Sequence, residues 1–156
     1  MTVQEQEAVI GELEGIVSKK YVMTHIFERI KSSLDTFPYE ADRDTLPAAV
    51  VMPGSTDEVS RIMRYAAAAR VPVFVRGSGT SFLGASRYHV PGVVLSTRRL
   101  DSIELFEDYG YFECGPGAIC AHVEEALKPG GFFLPAAPGS RLIASMGGII
   151  ATNTSA

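Results

Sequence analysis

A strand, a helix and a second strand follow one another between residues 48 and 75, and this unit constrains the fold more than any other part of the sequence. Residues 48–52 form a short apolar run that ends at a Pro-Gly pair, which predicts a buried strand. Ser55, with Glu58 three residues later, has the pattern of a capping box, and apolar residues beyond it recur at helical spacing. Residues 71–75 are again apolar. The order predicts a β-α-β unit.

The second strand leads directly into a glycine-rich loop, residues 76–85, with the sequence RGSGTSFLGA. Glycines permit positive φ and let other atoms approach closely, so successive N–H groups can converge on phosphate oxygens. Ser78, Thr80 and Ser81 add hydroxyl donors. The loop therefore predicts a pyrophosphate site. A plain glycine turn without a ligand stays open as an alternative at this point, because short glycine motifs recur by chance.

Two better-known phosphate loops do not match this sequence. A Rossmann fingerprint requires a third glycine where the chain has Phe82, and a Walker A loop requires a lysine where it has Ala85. Nicotinamide-binding domains also carry an acidic residue about twenty positions beyond the loop, and Asp101 lies near that distance. A nicotinamide dinucleotide thus stays open as an alternative ligand, with Phe82 as the observation against it.

A second loop combines prolines with small residues, first over residues 135–140 and then in Ser145-Met146-Gly147-Gly148. The prolines hold a rigid path, and the small residues admit close contact. Gly147 and Gly148, at the start of a predicted helix, can present free N–H groups to an anion. By itself this segment is also compatible with an ordinary turn.

The remaining elements are predicted from apolar spacing and turn residues. Helices are predicted at residues 3–18, 26–34 and 119–127, a connector at 35–47, and a β meander from the runs 93–95, 103–106 and 111–114. The fold class is α+β: a β-α-β unit plus a mixed or antiparallel sheet with flanking helices.

Composition and charge exclude several classes of function. The formal net charge is -4 and the pI is about 5.4, so bulk charge attracts neither nucleic acid nor an anionic membrane. The sequence predicts no membrane span and no leader peptide, which makes a cytoplasmic protein the expectation. Cys114 and Cys120 lack the spacing of a metal site or a CxxC motif, and we expect no metal.

Three stretches together resemble the FAD-binding, PCMH-type domain of the vanillyl-alcohol oxidase superfamily, in the branch that holds the glycolate oxidase large subunit and the D-lactate dehydrogenases. They are PAAVVMPGSTDEV, VPVFVRGSGTSFLGA and LPAAPGSRLIASMGGIIATN, in that order. The resemblance implies an N-terminal helical segment with a connector over residues 1–46. It implies the first part of an FAD-binding domain, incomplete at its C-terminus, over residues 47–156.

The resemblance also implies which residues bind FAD. The matching positions are Arg76, Gly77, Ser78, Gly79, Thr80, Ser81, Leu83 and Gly84 in the first loop, and Pro138, Gly139, Ser140, Ser145, Gly147, Gly148 and Asn153 in the second. Relatives often have Asp at the position of Ala137 and Asn at that of Ile149. Some members tether the flavin to a histidine where this chain has Thr80, so the resemblance implies non-covalent FAD.

The activity implied by the resemblance is oxidation of a 2-hydroxy acid such as D-lactate or glycolate, with a hydride equivalent passing to the flavin. Its partners would be a small-molecule substrate and an electron acceptor or partner redox subunit. The catalytic residues are expected in a later substrate domain, so none is named here, and the chain alone is expected to be inactive. A nicotinamide-binding module and a truncated, non-catalytic domain stay open as alternative functions.

Overall fold

A computed structural model describes residues 1–36, 43–82, 84, 88–135 and 137–154. Parts of the predicted connector and of both predicted loops, including Leu83, lie outside the described residues. Within them, five helices surround a four-stranded sheet and a separate two-stranded hairpin. The helices are α1 (Val3–Val17), α2 (Ile26–Ser33), α3 (Thr56–Ala69), α4 (Cys120–Leu127) and α5 (Met146–Ala151). The strands are β1 (Val22–Met23), β2 (Ala49–Val51), β3 (Val73–Arg76), β4 (Val93–Ser96), β5 (Ile103–Phe106) and β6 (Tyr111–Cys114).

The four-stranded sheet has the order β1-β2-β4-β3, with β2, β4 and β3 parallel and β1 antiparallel at one edge. The predicted β-α-β unit is present as β2, α3 and β3. Its two strands are not neighbours, however, because β4 lies between them. The prediction that residues 93–95 belong to a β meander is wrong. Val93, Val94 and Leu95 are all buried, because a central parallel strand is covered on both faces.

The other two strands of the predicted meander are present as β5 and β6, which pair as an antiparallel hairpin. Its register pairs Ile103 with Cys114 and Phe106 with Tyr111. Its inner face packs on α4 and α5 in a second cluster around Val123, Leu127 and Met146. An isolated bridge between Ile119 and Ser145 joins the start of α4 to the start of α5. This contact fixes the second loop relative to the rest of the domain.

Of the two hydrogen bonds in the predicted capping box of α3, one forms as predicted and the other has a different donor. The Ser55 hydroxyl accepts from the Glu58 N–H at 3.2 Å, as expected. The Glu58 carboxylate accepts from the N–H of Gly54 at 2.6 Å rather than from that of Ser55. The helix ends at Arg70, whose left-handed backbone (φ 54°) turns the chain toward β3. The turn after α3 therefore leads into β3, which lies at the edge of the sheet and is followed by the glycine loop.

Residues before and after position 47 share one core. Val9, Leu13 and Val17 of α1 pack with buried residues of β2, α3 and β4, and β1 pairs with β2. The amphipathic spacing that predicted α1 is therefore confirmed, and its apolar face covers one face of the sheet. Whether a domain boundary falls at residue 47 stays a prediction.

Candidate functional site

The two predicted loops meet at the end of β3. The Ser78 N–H donates to the Ser145 hydroxyl oxygen at 3.3 Å, although the two residues are 67 positions apart. Both loops line one open cavity of about 410 Å³. Its lining residues are Val75, Gly77, Ser78, Gly79, Thr80, Ser81, Phe82, Pro138, Ser140, Ala144, Ser145, Gly148, Ile149, Ala151, Thr152 and Thr154. The structure therefore brings together nine of the fifteen residues named from the sequence.

Two glycines explain why the first loop follows this path. A Cβ atom at Gly77 would lie 2.1 Å from the Ser145 hydroxyl oxygen, so a side chain there would push the loops apart. Gly79 has φ +72°, a conformation that residues with a Cβ atom rarely adopt, and a Cβ there would lie 2.1 Å from the Arg76 guanidinium. The glycine at each position is thus required by a specific contact or torsion.

The cavity offers backbone donors without a competing charge. Among the described residues, the N–H groups of Gly79, Thr80 and Gly148 have no hydrogen-bond acceptor, and all three residues line the cavity. No charged side chain is among the described residues that line it. Unpaired N–H groups in a loop and in the first turn of a helix attract anions. A pyrophosphate fits this donor set, since it would supply acceptors for N–H groups that have none among the described residues.

The prediction that both Gly147 and Gly148 present free N–H groups is half wrong. The Gly147 N–H donates to the Pro116 carbonyl at 2.9 Å, and a Cβ at Gly147 would lie 2.8 Å from that same oxygen. Gly147 therefore serves the packing of α5 against the turn before α4. Gly148, one residue further, lines the cavity, and its N–H has no acceptor among the described residues.

Arg76 is not among the residues that line this cavity. Its Nη2 donates to the Leu34 carbonyl at 2.5 Å, and its guanidinium is in contact range of Gly79. Its Nη1 atom is buried and has no hydrogen-bond partner among the described residues. The first loop is thus in contact with a partly buried guanidinium group.

Four other residues named from the sequence also lie outside the cavity lining. Gly84 has φ +69° with open space around it, and Gly139 is exposed. Gly147 packs on Pro116, and Asn153 follows the C-terminus of α5 with φ 48°, where asparagine tolerates the left-handed backbone. Leu83 lies outside the described residues.

Sequence reasoning missed several lining residues, among them Thr152, Thr154 and Phe82. Thr152 follows Gly148 by four positions, and its hydroxyl donates to the Gly148 carbonyl at 2.8 Å. The helical i, i+4 spacing between Gly148 and Thr152 is the sequence signal that could have indicated this residue. Phe82, 69% exposed, was considered only as an argument against a Rossmann loop.

A second cavity of about 470 Å³ adjoins the first across the contact between Ser78 and Ser145. Both cavities are lined by these two serines together with Gly77 and Thr80. Asp101 is also in the second lining, which places it near the loop as a nicotinamide site would require. However, none of the described residues between Ser81 and Gly92 is helical, so the loop does not open a helix as a Rossmann loop does.

Other chemistry-bearing groups are not assembled in the described part of the chain. There, no three His, Cys, Asp or Glu side chains lie close enough to hold a metal ion, and no helix is long and apolar enough to cross a membrane. Cys114 and Cys120 are free thiols, and burial raises the pKa of both. Raised pKa values keep the thiols protonated and therefore poorly nucleophilic.

A glycine loop at the end of a parallel strand, which lines one cavity together with the start of a helix, is an arrangement that can hold the pyrophosphate of a dinucleotide. The sequence profile of the FAD binding domain family matches residues 47–156. The chain belongs to this family, and FAD is its cofactor.

Sequence relatives agree with this assignment. D-lactate dehydrogenase of Archaeoglobus fulgidus is 35% identical over 119 residues, which cover 76% of this chain and 27% of that protein. The glycolate oxidase subunit GlcD of Bacillus subtilis is 34% identical over 127 residues, covering 81% of this chain and 26% of that protein. The chain thus spans about a quarter of the length of these curated relatives.

Solved structures show the same fold at low sequence identity. Alkyldihydroxyacetonephosphate synthase superposes with a TM-score of 0.85 at 20% identity, over 96% of this chain and 32% of that one. The 4-ethylphenol oxidase of Gulosibacter chungangensis gives 0.79 at 23%, over 96% of this chain and 29% of that one. The fold is therefore the PCMH-type FAD-binding fold, which confirms the fold class predicted from the sequence.

Proposed function

We propose that this chain is the FAD-binding part of a flavin-dependent dehydrogenase that oxidises a 2-hydroxy acid of the D-lactate or glycolate type. The observation that carries the proposal is that one cavity is lined both by the glycine loop and by the start of α5, with N–H groups of both that have no acceptor among the described residues. The relatives named as a D-lactate dehydrogenase and a glycolate oxidase subunit support the substrate class.

In this proposal the lining residues divide the binding of FAD between them. The N–H groups of Gly79, Thr80 and Gly148 donate to the pyrophosphate, and the hydroxyls of Ser78, Thr80 and Ser140 add donors at the same cavity. Gly77 and Ser145 keep the two loops in contact. Bound FAD would supply the acceptor for a hydride equivalent, while the protein holds and orients the cofactor.

Substrate binding needs groups that the cavity does not supply. A substrate carboxylate requires cationic partners, and removal of a hydroxyl proton requires a base, yet the described residues that line the cavity of about 410 Å³ include no charged side chain. We propose that these groups, and the contact with an electron acceptor or partner redox subunit, lie in other parts of a longer protein. Arg76, Leu83, Gly84, Gly139, Gly147 and Asn153 stay as predicted cofactor contacts, and a cytoplasmic location stays a prediction.

The division of labour can be tested by turnover. We expect the full-length protein to reduce an artificial electron acceptor with D-lactate or glycolate, and the 156-residue chain with excess FAD to show none above background. Loss of substrate positioning alone removes several orders of magnitude of rate. Turnover by the chain comparable with that of the full-length protein would place the whole active site within these residues.

The mode of FAD attachment gives a separate expectation. The position at which some relatives carry a flavin-bearing histidine is Thr80 here, and its hydroxyl does not form such a linkage. Acid precipitation of the full-length flavoprotein should therefore release yellow flavin into the supernatant. Flavin that stays with the denatured pellet would show a covalent bond and contradict the role given to Thr80.

A further inference from the structure

The back of the glycine loop is held by a short segment that precedes the region matched to the FAD binding domain family. Residues 34–36, here called the clasp, contact the loop at two places. Arg76 Nη2 donates to the Leu34 carbonyl at 2.5 Å. The Ser81 carbonyl accepts from the N–H of Thr36 at 3.2 Å and from its hydroxyl at 2.8 Å.

These contacts fix both ends of the segment that carries the cofactor donors. Arg76 precedes Gly77, and Ser81 follows Thr80, so the clasp spans the four residues between them. The Arg76 guanidinium also lies against Gly79 at the middle of the turn. Neither Leu34 nor Thr36 lines either cavity beside the loop. Leu34 and Thr36 therefore contact the loop without belonging to the lining of either cavity.

The clasp is itself anchored to the body of the domain through α2. The Ser32 carbonyl accepts from the Tyr88 hydroxyl, and Arg29 Nε donates to the Pro47 carbonyl at 2.5 Å. Ser32 and Ser33 at the end of α2 are buried. The position of Thr36 is thus set by the packing of α2 and not by the loop alone.

We propose that the clasp holds the glycine loop in its binding conformation before FAD arrives, with Thr36 as the positioning residue. The inference rests on the proposed binding of FAD by this loop. A loop that is ordered in advance loses less conformational entropy on binding, which raises affinity without any new contact to the ligand. Leu34 and Thr36 therefore contribute to cofactor affinity although neither lines either cavity.

The test is Thr36→Val in the full-length protein, with Thr36→Ser as the conservative rescue. Valine keeps the shape and the N–H but removes the hydroxyl that donates to Ser81. Loss of one hydrogen bond predicts an FAD dissociation constant about fivefold higher in Thr36→Val. Thr36→Ser should restore it. Hydrogen–deuterium exchange of a peptide covering the loop should be faster in the Thr36→Val apoprotein.

Two further variants separate positioning from stability and from the proposed function. Ser55→Ala removes the cap of α3 away from the loop, so it should lower the melting temperature and leave FAD affinity unchanged. If Ser55→Ala weakens FAD binding as much as Thr36→Val does, the effect is general destabilisation, and the proposed positioning role of the clasp is overturned. Unchanged affinity and loop exchange in Thr36→Val also overturn it. Should Gly79→Val still bind FAD normally, the proposed function itself fails.

Discussion

Gly79→Val is expected to abolish FAD binding by the full-length protein while most of the fold is retained. Valine at φ +72° is strained, and its Cβ would lie 2.1 Å from the Arg76 guanidinium beneath the loop. The loop has to move, and the N–H groups of Gly79 and Thr80 then leave the cavity. Because hydrogen bonds to charged groups each contribute about 1.5–3 kcal/mol, affinity should fall by roughly two orders of magnitude or more.

The measurement is flavin content after purification, followed by titration of the apoprotein with FAD. Gly110→Val is the matched control, because Gly110 has nearly the same torsion (φ +67°) in the turn between β5 and β6, with open space around it. The control should lose stability through the same backbone strain and keep its flavin. Normal flavin content in Gly79→Val, or equal loss in both variants, would contradict a phosphate-binding role for the loop.

Leu13→Ala is expected to destabilise the whole sheet domain and not the N-terminal helix alone. Leu13 is 1% exposed and packs in the cluster that includes Val51, Ile62 and Val93. Truncating a fully buried leucine costs about 2–5 kcal/mol, since transfer free energy is lost and a cavity remains. Urea unfolding followed by circular dichroism should show the decrease in the main transition.

The control for Leu13→Ala lies in the same helix. A Cβ at Gly11 would meet no atom within 4 Å, so Gly11→Ala only removes backbone freedom from a helix interior and should raise stability by about 0.5–1 kcal/mol. If Leu13→Ala leaves the main transition unchanged, residues before position 47 form a separate unit, as the sequence division suggested. A large decrease in the free energy of unfolding of the main transition would instead show that these residues share the core of the sheet.

Local sequence signals predicted the elements well because each depends on neighbouring residues only. The spacing of Val9, Leu13 and Val17 gave α1, the serine at position 55 gave the start of α3, and the short apolar runs gave β2, β3 and β4. Those runs do not encode their partners. A strand that is apolar on both faces has no alternation to specify its neighbours, so the place of β4 between β2 and β3 was not predicted.

The site followed the same division. Glycines at positions 77 and 79 with nearby hydroxyls indicated an anion-binding loop, and the resemblance of three stretches to a flavin family supplied the second loop. Neither indicated that Ser78 and Ser145 touch. The sequence also did not indicate that the Arg76 guanidinium donates to the Leu34 carbonyl, and a contact between Arg76 and the cofactor stays a prediction.

The sequence by itself determined the helices, the buried strands, the torsional freedom at Gly79 and the donor chemistry of the first loop, because these depend on residue type and spacing along the chain. Only the tertiary structure decided which donors stay unpaired. Gly147 loses its N–H to Pro116 and Gly148 keeps its own, a difference set by the packing of α5 against a turn some thirty residues earlier. The contact between Thr36 and the loop also arises from packing across distant segments, which no local pattern records.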